Sequence, residues 1–189
     1  FISVLIPLYN KEKSIAQSLK SVLDQTYTNF EIVVVDDGST DKSVEVVKNI
    51  GDDRIQLLCQ PNAGPSKARN TGVKNSKGDW IVFLDADDEL LPEALSIFTE
   101  IIVEHQDVDI IDCNRYVRRG EDERLGFHPL EGYVKNPFKE CYYGLVSPGE
   151  GRAAFRKTLL LKHPYNERIR RFEDAELIIR LLSNLRSEE

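Results

Sequence analysis

Three acidic residues follow directly on an apolar run near the middle of the chain. Asp85, Asp87 and Asp88 come after residues 80–84, a segment whose length and composition predict a buried strand. Carboxylate oxygens are the ligands that Mg²⁺ and Mn²⁺ prefer, usually with phosphate groups completing the coordination. The alternative is a solvated loop before a helix, where the helix dipole favours acids. Taken alone, the segment leaves both interpretations open.

Strands and helices alternate through the first half of the chain and would place these acids at the edge of a sheet. Runs of apolar and β-branched residues predict strands at 2–6, 30–35, 55–59, 80–84 and 108–113. The segments between them carry helical periodicity. This alternation predicts an α/β fold, with a parallel sheet covered by helices on both faces.

Single residues predict where some of these elements begin and end. Pro7 is expected to end the first strand, and Pro92 to open a helix as a first-turn proline. Ser14 is expected to cap the first helix, and Ser39 or Thr40 the second. Further along, residues 115–139 are rich in Gly and Pro and predict a hairpin or a flap, whereas residues 172–185 return to helical periodicity.

Four of the predicted strands end in polar residues. Asn10 follows the first strand, Asp36 and Asp37 the second, and Asn62 the third, while the acidic cluster follows the fourth. Open α/β sheets bind ligands outside the carboxyl ends of their strands, so four such ends predict one site. The run from Asp36 also suits a turn before a helix, but a turn does not explain two adjacent acids. An acid at the end of the second strand commonly accepts hydrogen bonds from a nucleoside.

Composition narrows the class of protein. The net charge of −7 argues against a nucleic-acid partner. Three scattered cysteines predict a reducing compartment, and no apolar run approaches the ~18 residues that span a bilayer. We therefore expect a cytoplasmic protein, at most peripherally associated with the inner face of the membrane. The sequence has no Met and its last residues keep a helical pattern, so we expect a missing natural start and a truncated C-terminus.

Three other phosphate-binding classes fit less well. A dinucleotide-binding fold needs a glycine-rich loop after the first strand, and the chain has residues 9–12 without glycine there. A P-loop motif is absent from the sequence. Haloacid-dehalogenase-type phosphatases carry an Asp-x-Asp motif after their first strand that continues Gly-Thr. The matching residues here, Asp85 and Asp87, follow the fourth strand and continue Asp88-Glu89.

Four segments, in this order along the chain, resemble glycosyltransferase family 2, the inverting enzymes with the GT-A fold. They are Ser3–Asn10, Glu31–Asp41, Asn62–Gly72 and Phe83–Asp88. The resemblance covers residues 2–114 and resumes at Arg171–Asp174, which is similar to the family's Glu-Asp motif. It implies a Rossmann-like GT-A fold with a mostly parallel central sheet. A nucleotide-sugar-binding half (1–114) and an acceptor-binding half (115–189) would form the same domain.

The resemblance also implies an activity and roles for individual residues. The donor would be a nucleotide-diphosphate sugar, with a UDP-sugar favoured. The implied donor-binding residues are Pro7, Tyr9, Asn10, Asp36, Asp37, Asn62, Gly64, Arg69, Asp85 and Ala86. Asp85 and Asp87 would bind Mn²⁺ or Mg²⁺. Asp174 would be the general base and Glu173 would position it, so that a hydroxyl of a carbohydrate or glycolipid acceptor attacks with inversion.

The chain also departs from part of the family. Processive polysaccharide synthases carry a Gln-x-x-Arg-Trp motif, and the single tryptophan here, Trp80, lies on a predicted strand. We therefore expect single sugar addition in polysaccharide or glycoconjugate synthesis. Two alternatives stay open at this point: a haloacid-dehalogenase-like phosphatase, and a nucleotide-sugar-binding protein without turnover.

Overall fold

The computed structural model describes residues 1–112, 116–119, 122–125, 153–169 and 171–184. Its strands are β1 (Ile2–Leu8), β2 (Phe30–Asp36), β3 (Ile55–Cys59), β4 (Trp80–Phe83), β5 (Ile110–Asp112), β6 (Tyr116–Arg119), β7 (Asp122–Leu125) and β8 (Ala153–Arg156). Its helices are α1 (Ile15–Leu23), α2 (Ser43–Ile50), α3 (Pro65–Asn75), α4 (Ala94–Glu104), α5 (Lys157–Lys162) and α6 (Glu173–Asn184).

Six strands form the central sheet, in the order β3-β2-β1-β4-β8-β5. The pairs among β3, β2, β1 and β4 are parallel, whereas β8 runs antiparallel to both of its neighbours. The mostly parallel α/β sheet predicted from the sequence is therefore confirmed. The strands β6 and β7 pair with each other as a separate antiparallel hairpin, which lies within the region where a hairpin or a flap was predicted.

Alternate side chains of β1 point to opposite faces of the sheet and divide the core in two. Val4 and Ile6 pack in one cluster with apolar residues of α1, α2 and α4. Leu5 packs on the other face with apolar residues of α3, α5 and α6. Because β1 is buried on both faces, its sequence is apolar at every position except Ser3 rather than alternating.

Gly72 lets the helix α3 pack closely on β1 of the sheet. A Cβ atom built at this position would lie 2.3 Å from Cδ1 of Leu5, deep in the core. A larger residue would push the helix away from β1. Glycine at this point therefore sets the depth of α3, which carries Arg69 and Asn70 on its buried side.

Several predicted ends of elements are wrong in informative ways. Pro7 lies inside β1 rather than ending it, because β4 ends opposite Leu5 and the missing N–H of Pro7 falls where β1 has a neighbour on one side only. Pro92 precedes α4 by two residues, and its carbonyl oxygen accepts a hydrogen bond from the backbone N–H of Thr26 at 3.0 Å. The last strand of the first half begins at Ile110, two residues later than predicted, and its predicted end at Cys113 lies outside the described residues.

Candidate functional site

A cleft of about 430 Å³ opens at the carboxyl ends of the central strands. It is lined by Pro7, Leu8, Tyr9, Lys11, Asp37, Asn62, Gly64, Pro65, Ala68, Arg69, Asp85, Ala86 and Asp87. The strand order explains this gathering, since the loops after β1, β2, β3 and β4 emerge side by side along one edge. Most of the predicted donor-binding residues line this cleft, and Asn10 and Asp36 lie directly beside it in the chain.

Each carboxylate of the Asp85-Ala86-Asp87 segment pairs with a basic side chain from another element. Nη2 of Arg69 lies 3.2 Å from Oδ1 of Asp85, and Nζ of Lys11 contacts Oδ2 of Asp87. The Asp85 and Asp87 side chains are 50% and 49% exposed. The acids predicted as metal ligands thus face a solvent-accessible cleft and carry counter-ions from α3 and the β1–α1 loop.

The donor set at this position suits a hard divalent cation. Mg²⁺ is usually held by one or two carboxylates together with phosphate oxygens of a substrate. Asp85 and Asp87 supply two such carboxylates, half exposed and two residues apart. Within the residues that the structure describes, no group of three or more His, Cys, Asp or Glu side chains could hold a metal ion by itself. Phosphate oxygens of a ligand would add to these two carboxylates in the coordination of such a cation.

Arg69 joins two parts of the site that lie far apart in the sequence. Its side chain is only 8% exposed, and Nη1 donates a hydrogen bond of 2.9 Å to Oε1 of Glu173 while Nη2 contacts Asp85. Its guanidinium also lies 5.7 Å from the centre of the Tyr165 ring. Since a buried guanidinium needs fixed acceptors, these contacts hold Arg69 in one orientation at the floor of the cleft.

Asn70, the next residue along α3, forms hydrogen bonds with Tyr165 and Glu167, which lie between α5 and α6. Its Oδ1 accepts from the Tyr165 backbone N–H at 2.9 Å, and its Nδ2 donates to the Tyr165 carbonyl oxygen at 3.0 Å. Nδ2 also contacts Glu167, and this hydrogen bond, with help from the Lys67 ammonium, lowers the pKa of that carboxyl. The amide thereby keeps Tyr165 beside Arg69.

Asp36 and Asp37 are both buried but make different contacts. Asp37 accepts three hydrogen bonds from the β3–α3 loop: from Gln60 Nε2 at 2.7 Å, from Ala63 N at 2.9 Å and from Gly64 N at 2.7 Å. Asp36 accepts from Ser39 N, at 3.2 and 3.3 Å to its two oxygens. The carboxylate of Asp37 is thus committed to shaping the wall of the cleft.

The β1–α1 loop is fixed against the β2–α2 loop through Asn10. Asn10 has a positive φ of 51°, its backbone N–H donates to Ser39 Oγ at 2.9 Å, and its Oδ1 accepts from Thr40 N at 2.8 Å. The prediction that Ser39 or Thr40 caps the next helix is wrong, because both bind Asn10 instead. At the start of α2, Asp41 Oδ1 accepts from Ser43 N at 2.9 Å.

The β1–α1 segment also contacts the loop after β4. Ser14 precedes α1 as predicted, but its hydroxyl donates to the Ala86 carbonyl oxygen at 2.8 Å rather than capping the helix. Gln17 Nε2 donates to Glu89 Oε1 at 2.7 Å. Lys11, which sequence reasoning missed, completes this set by its contact with Asp87. The available signal was its place directly after Asn10, on the same edge as the acidic loop.

Glu173 and Asp174 form the first turn of α6, as predicted from the return of helical periodicity. Glu173, 14% exposed, reaches Arg69 in the cleft, whereas Oδ1 of Asp174 accepts from Ala175 N at 2.8 Å. Phe172 before them has a positive φ of 58° and a largely exposed side chain. Of the two predicted catalytic acids, Glu173 is therefore the one in direct contact with a cleft residue.

Residues 3–163 match the family model described as "Glycosyl transferase family 2". Glycosyltransferase GlyA of Streptococcus pneumoniae is 42% identical over 131 residues, which are 68% of this chain and 19% of that protein. The uncharacterized glycosyltransferase YibD of Escherichia coli is 40% identical over 115 residues, 60% of this chain and 33% of that protein. The chain thus spans only a part of the curated relatives it matches.

Solved structures share the fold over nearly the whole chain. S. aureus TarS 1-349 superposes with a TM-score of 0.76 at 26% identity, covering 97% of this chain and 55% of that one. The same protein has been solved in complex with UDP-GlcNAc, with a TM-score of 0.76, 25% identity and coverage of 97% and 53%. The sheet described above is therefore of the GT-A type. Within the described residues, no helix has the length and apolar character needed to cross a bilayer.

Proposed function

We propose, since the chain belongs to glycosyltransferase family 2, that it transfers a sugar from a nucleotide-diphosphate sugar to an acceptor hydroxyl with inversion. The observation that carries the proposal is the cleft itself. There, Asp85 and Asp87 lie at the carboxyl end of β4, opposite the basic residues Lys11 and Arg69. A nucleoside diphosphate brings concentrated negative charge, and this mixture of cations and metal-competent carboxylates suits it.

The nucleoside would bind between the ends of β1 and β2. Asp36 has a buried carboxylate with one long backbone contact, so it retains acceptor capacity for hydroxyl or N–H donors of a ligand. Pro7, Tyr9, Asn62 and Gly64 line the same cleft and would surround the nucleoside. Because TarS, a relative at about a quarter identity, is solved in complex with UDP, we favour a UDP-sugar as donor.

Asp85 and Asp87 would hold Mn²⁺ or Mg²⁺ together with oxygens of the diphosphate. When bound, such an ion would offset the negative charge that develops on the leaving diphosphate. Arg69 contributes a fixed positive charge beside the same group, and Ala86 keeps the two acids two residues apart. These residues stabilise the leaving group, whereas they contribute little to activating the acceptor.

Asp174 would be the general base of the transfer. It would take the proton of the acceptor hydroxyl while the acceptor oxygen bonds to the anomeric carbon and the bond to the diphosphate breaks. Glu173 would act by positioning, since its carboxylate is engaged by Arg69. We propose that residues 115–189 supply the acceptor side and residues 1–114 the donor side of one domain. The acceptor would be a carbohydrate or glycolipid.

The physiological setting is part of the same proposal. The enzyme would add one sugar at a time in polysaccharide or glycoconjugate synthesis. It would act in the cytoplasm, at most peripherally on the inner face of the membrane. Single addition is proposed because the sequence lacks the processive-synthase motif, and the cytoplasmic setting because its three cysteines are scattered.

The decisive experiment measures which compound the protein binds and consumes. UDP should bind tightly in Mn²⁺ and weakly in excess chelator, and a panel of nucleotide sugars should show donor hydrolysis or transfer. Equal UDP affinity in both conditions would contradict the metal role. Phosphate release from p-nitrophenyl phosphate without donor consumption would support the phosphatase instead, and nucleotide binding without any turnover would support a binding protein.

A further inference from the structure

We propose that Lys11 is an exchangeable counter-ion in the donor site. In the cleft without donor, its ammonium neutralises Asp87 and competes with a divalent cation for that carboxylate. When the cation and the nucleoside diphosphate bind, the ammonium moves from Asp87 to the diphosphate. This inference rests on the proposed function and assigns Lys11 a binding role that the family resemblance did not include.

The backbone of Lys11 is fixed, so its side chain has a defined reach. Asn10 turns the chain with a positive φ, and the Lys11 N–H then donates to Ser43 Oγ at 2.8 Å. The Lys11 carbonyl oxygen accepts from Ser14 N at 3.1 Å and from Ile15 N at 3.0 Å. These bonds attach the base of the side chain to α1 and α2, while its tip lines the cleft beside Asp87.

The two loops that this ion pair joins are also held together without it. The Ser14 hydroxyl contacts the Ala86 carbonyl oxygen at 2.8 Å, and Gln17 contacts Glu89 at 2.7 Å. The Lys11–Asp87 pair can therefore break without separating the β1–α1 segment from the loop after β4. Because the fold does not need the Lys11–Asp87 ion pair to hold these loops together, Lys11 can exchange Asp87 for another anionic partner.

The second basic residue of the cleft, Arg69, differs from Lys11 in mobility. Arg69 is 8% exposed and bound to two carboxylates, whereas the Lys11 side chain is 40% exposed. A compact ammonium on a flexible four-carbon stem can change partners, while a planar guanidinium held by several acceptors cannot do so cheaply. Of the two cations that balance Asp85 and Asp87, Lys11 is the one able to follow the diphosphate.

The test compares wild type, Lys11→Met and Lys11→Arg in two binding experiments on the whole chain. Mn²⁺ binding without nucleotide should tighten by about two- to five-fold in Lys11→Met, because a partly exposed competing charge is removed. UDP binding in saturating Mn²⁺ should weaken by about tenfold, because a charged contact to phosphate is lost. Lys11→Arg should restore most of the UDP affinity.

Lys20→Met is the matched control. Lys20 also forms an ion pair, with Asp24, but it lies on α1 outside the lining of the cleft. Lys20→Met removes the same net charge as Lys11→Met and should leave the dissociation constants of Mn²⁺ and of UDP within about twofold of wild type.

Opposite shifts of the two constants identify exchange, and other outcomes overturn it. If Mn²⁺ and UDP both bind more weakly in Lys11→Met, the residue has a structural role. If UDP weakens while Mn²⁺ is unchanged, Lys11 contacts phosphate without competing for Asp87. Wild-type protein that binds neither probe would refute the proposed function itself, which is a different result from any difference between variants.

Discussion

Replacing Asp37 with Asn should lower the stability of the protein, because the carboxylate of Asp37 holds the β3–α3 loop that shapes the cleft. Oδ1 of Asp37 accepts from Gln60 and Ala63, and Oδ2 accepts from Gly64 N at 2.7 Å. Asn can keep the first two bonds through its single oxygen, but its NH₂ group must then face the N–H of Gly64. The substitution therefore leaves a buried donor without an acceptor and removes the charge that strengthens the remaining bonds.

The expected loss follows from the number of bonds affected. One charge-assisted hydrogen bond contributes about 1.5–3 kcal/mol, and an unsatisfied buried N–H adds a penalty, so we expect a loss of about 3 kcal/mol. For a chain of 189 residues this corresponds to a fall in Tm of about 6–12 °C. Urea denaturation and a thermal melt, both without ligand, measure the two quantities.

Asp36→Asn is the matched control, since the two acids are adjacent and equally buried. The contacts of Asp36 to Ser39 N are long, so its substitution should change Tm little. If Asp36 binds the nucleoside, UDP affinity should instead fall by about one to two decades. The reasoning is refuted if Asp37→Asn melts like wild type while Asp36→Asn loses stability, because the structural anchor would then be Asp36.

Three further substitutions test other parts of the description. Asp174→Asn should slow transfer by about 10²–10⁴-fold in a donor-consumption assay, while the affinity for UDP stays nearly unchanged. If Glu173→Gln slows transfer more than Asp174→Asn does, the roles assigned to the two acids are reversed. Gly72→Ala should lower stability by about 1–3 kcal/mol in urea because its Cβ meets Leu5, and an unchanged midpoint would contradict the close approach of α3. The side-chain hydrogen bond from Arg54 lowers the pKa of Asp52 to about 2 in the folded protein. The ionised carboxylate therefore stabilises the fold above the pKa of the unfolded chain, and Asp52→Asn should lower the free energy of unfolding by under about 1 kcal/mol near pH 7. The difference in stability between the variant and wild type should shrink from pH 4 towards pH 2, and a difference that persists in full at pH 2 would exclude the ion pair as its cause.

The central strands and most of the residues of the cleft could be predicted because their signals are local. The strand β2 is rich in β-branched residues and is buried along its whole length, and its composition alone predicts a strand. The acids at the ends of β2 and β4 stand out because charge at the end of a buried run has no packing reason. Asp36, Asp37, Asp85 and Asp87 could thus be assigned to one edge of the sheet from the amino-acid sequence alone.

Contacts between distant segments could not be predicted in this way. The strand β8 has four residues, too few for a period, and its antiparallel place between β4 and β5 depends on pairing partners more than 40 residues away. The Arg69–Glu173 contact joins residues 104 positions apart. Lys11 is one of many lysines in the sequence, and only the approach of the β1–α1 and β4–α4 loops brings it to Asp87.

The long-range contacts reduce the negative charge that an anionic donor would meet in this acidic chain. With a net charge of −7 and three carboxylates lining the cleft, the bare field at this edge would repel a diphosphate. Two cations from separate elements offset part of this negative charge. Arg69 of α3 pairs with Asp85, and Lys11 of the β1–α1 loop pairs with Asp87. Because both cations depend on tertiary contacts, this charge compensation exists only in the folded chain. Donor binding and folding of the cleft should therefore be coupled, so that UDP with Mn²⁺ raises Tm more in wild type than in Lys11→Met.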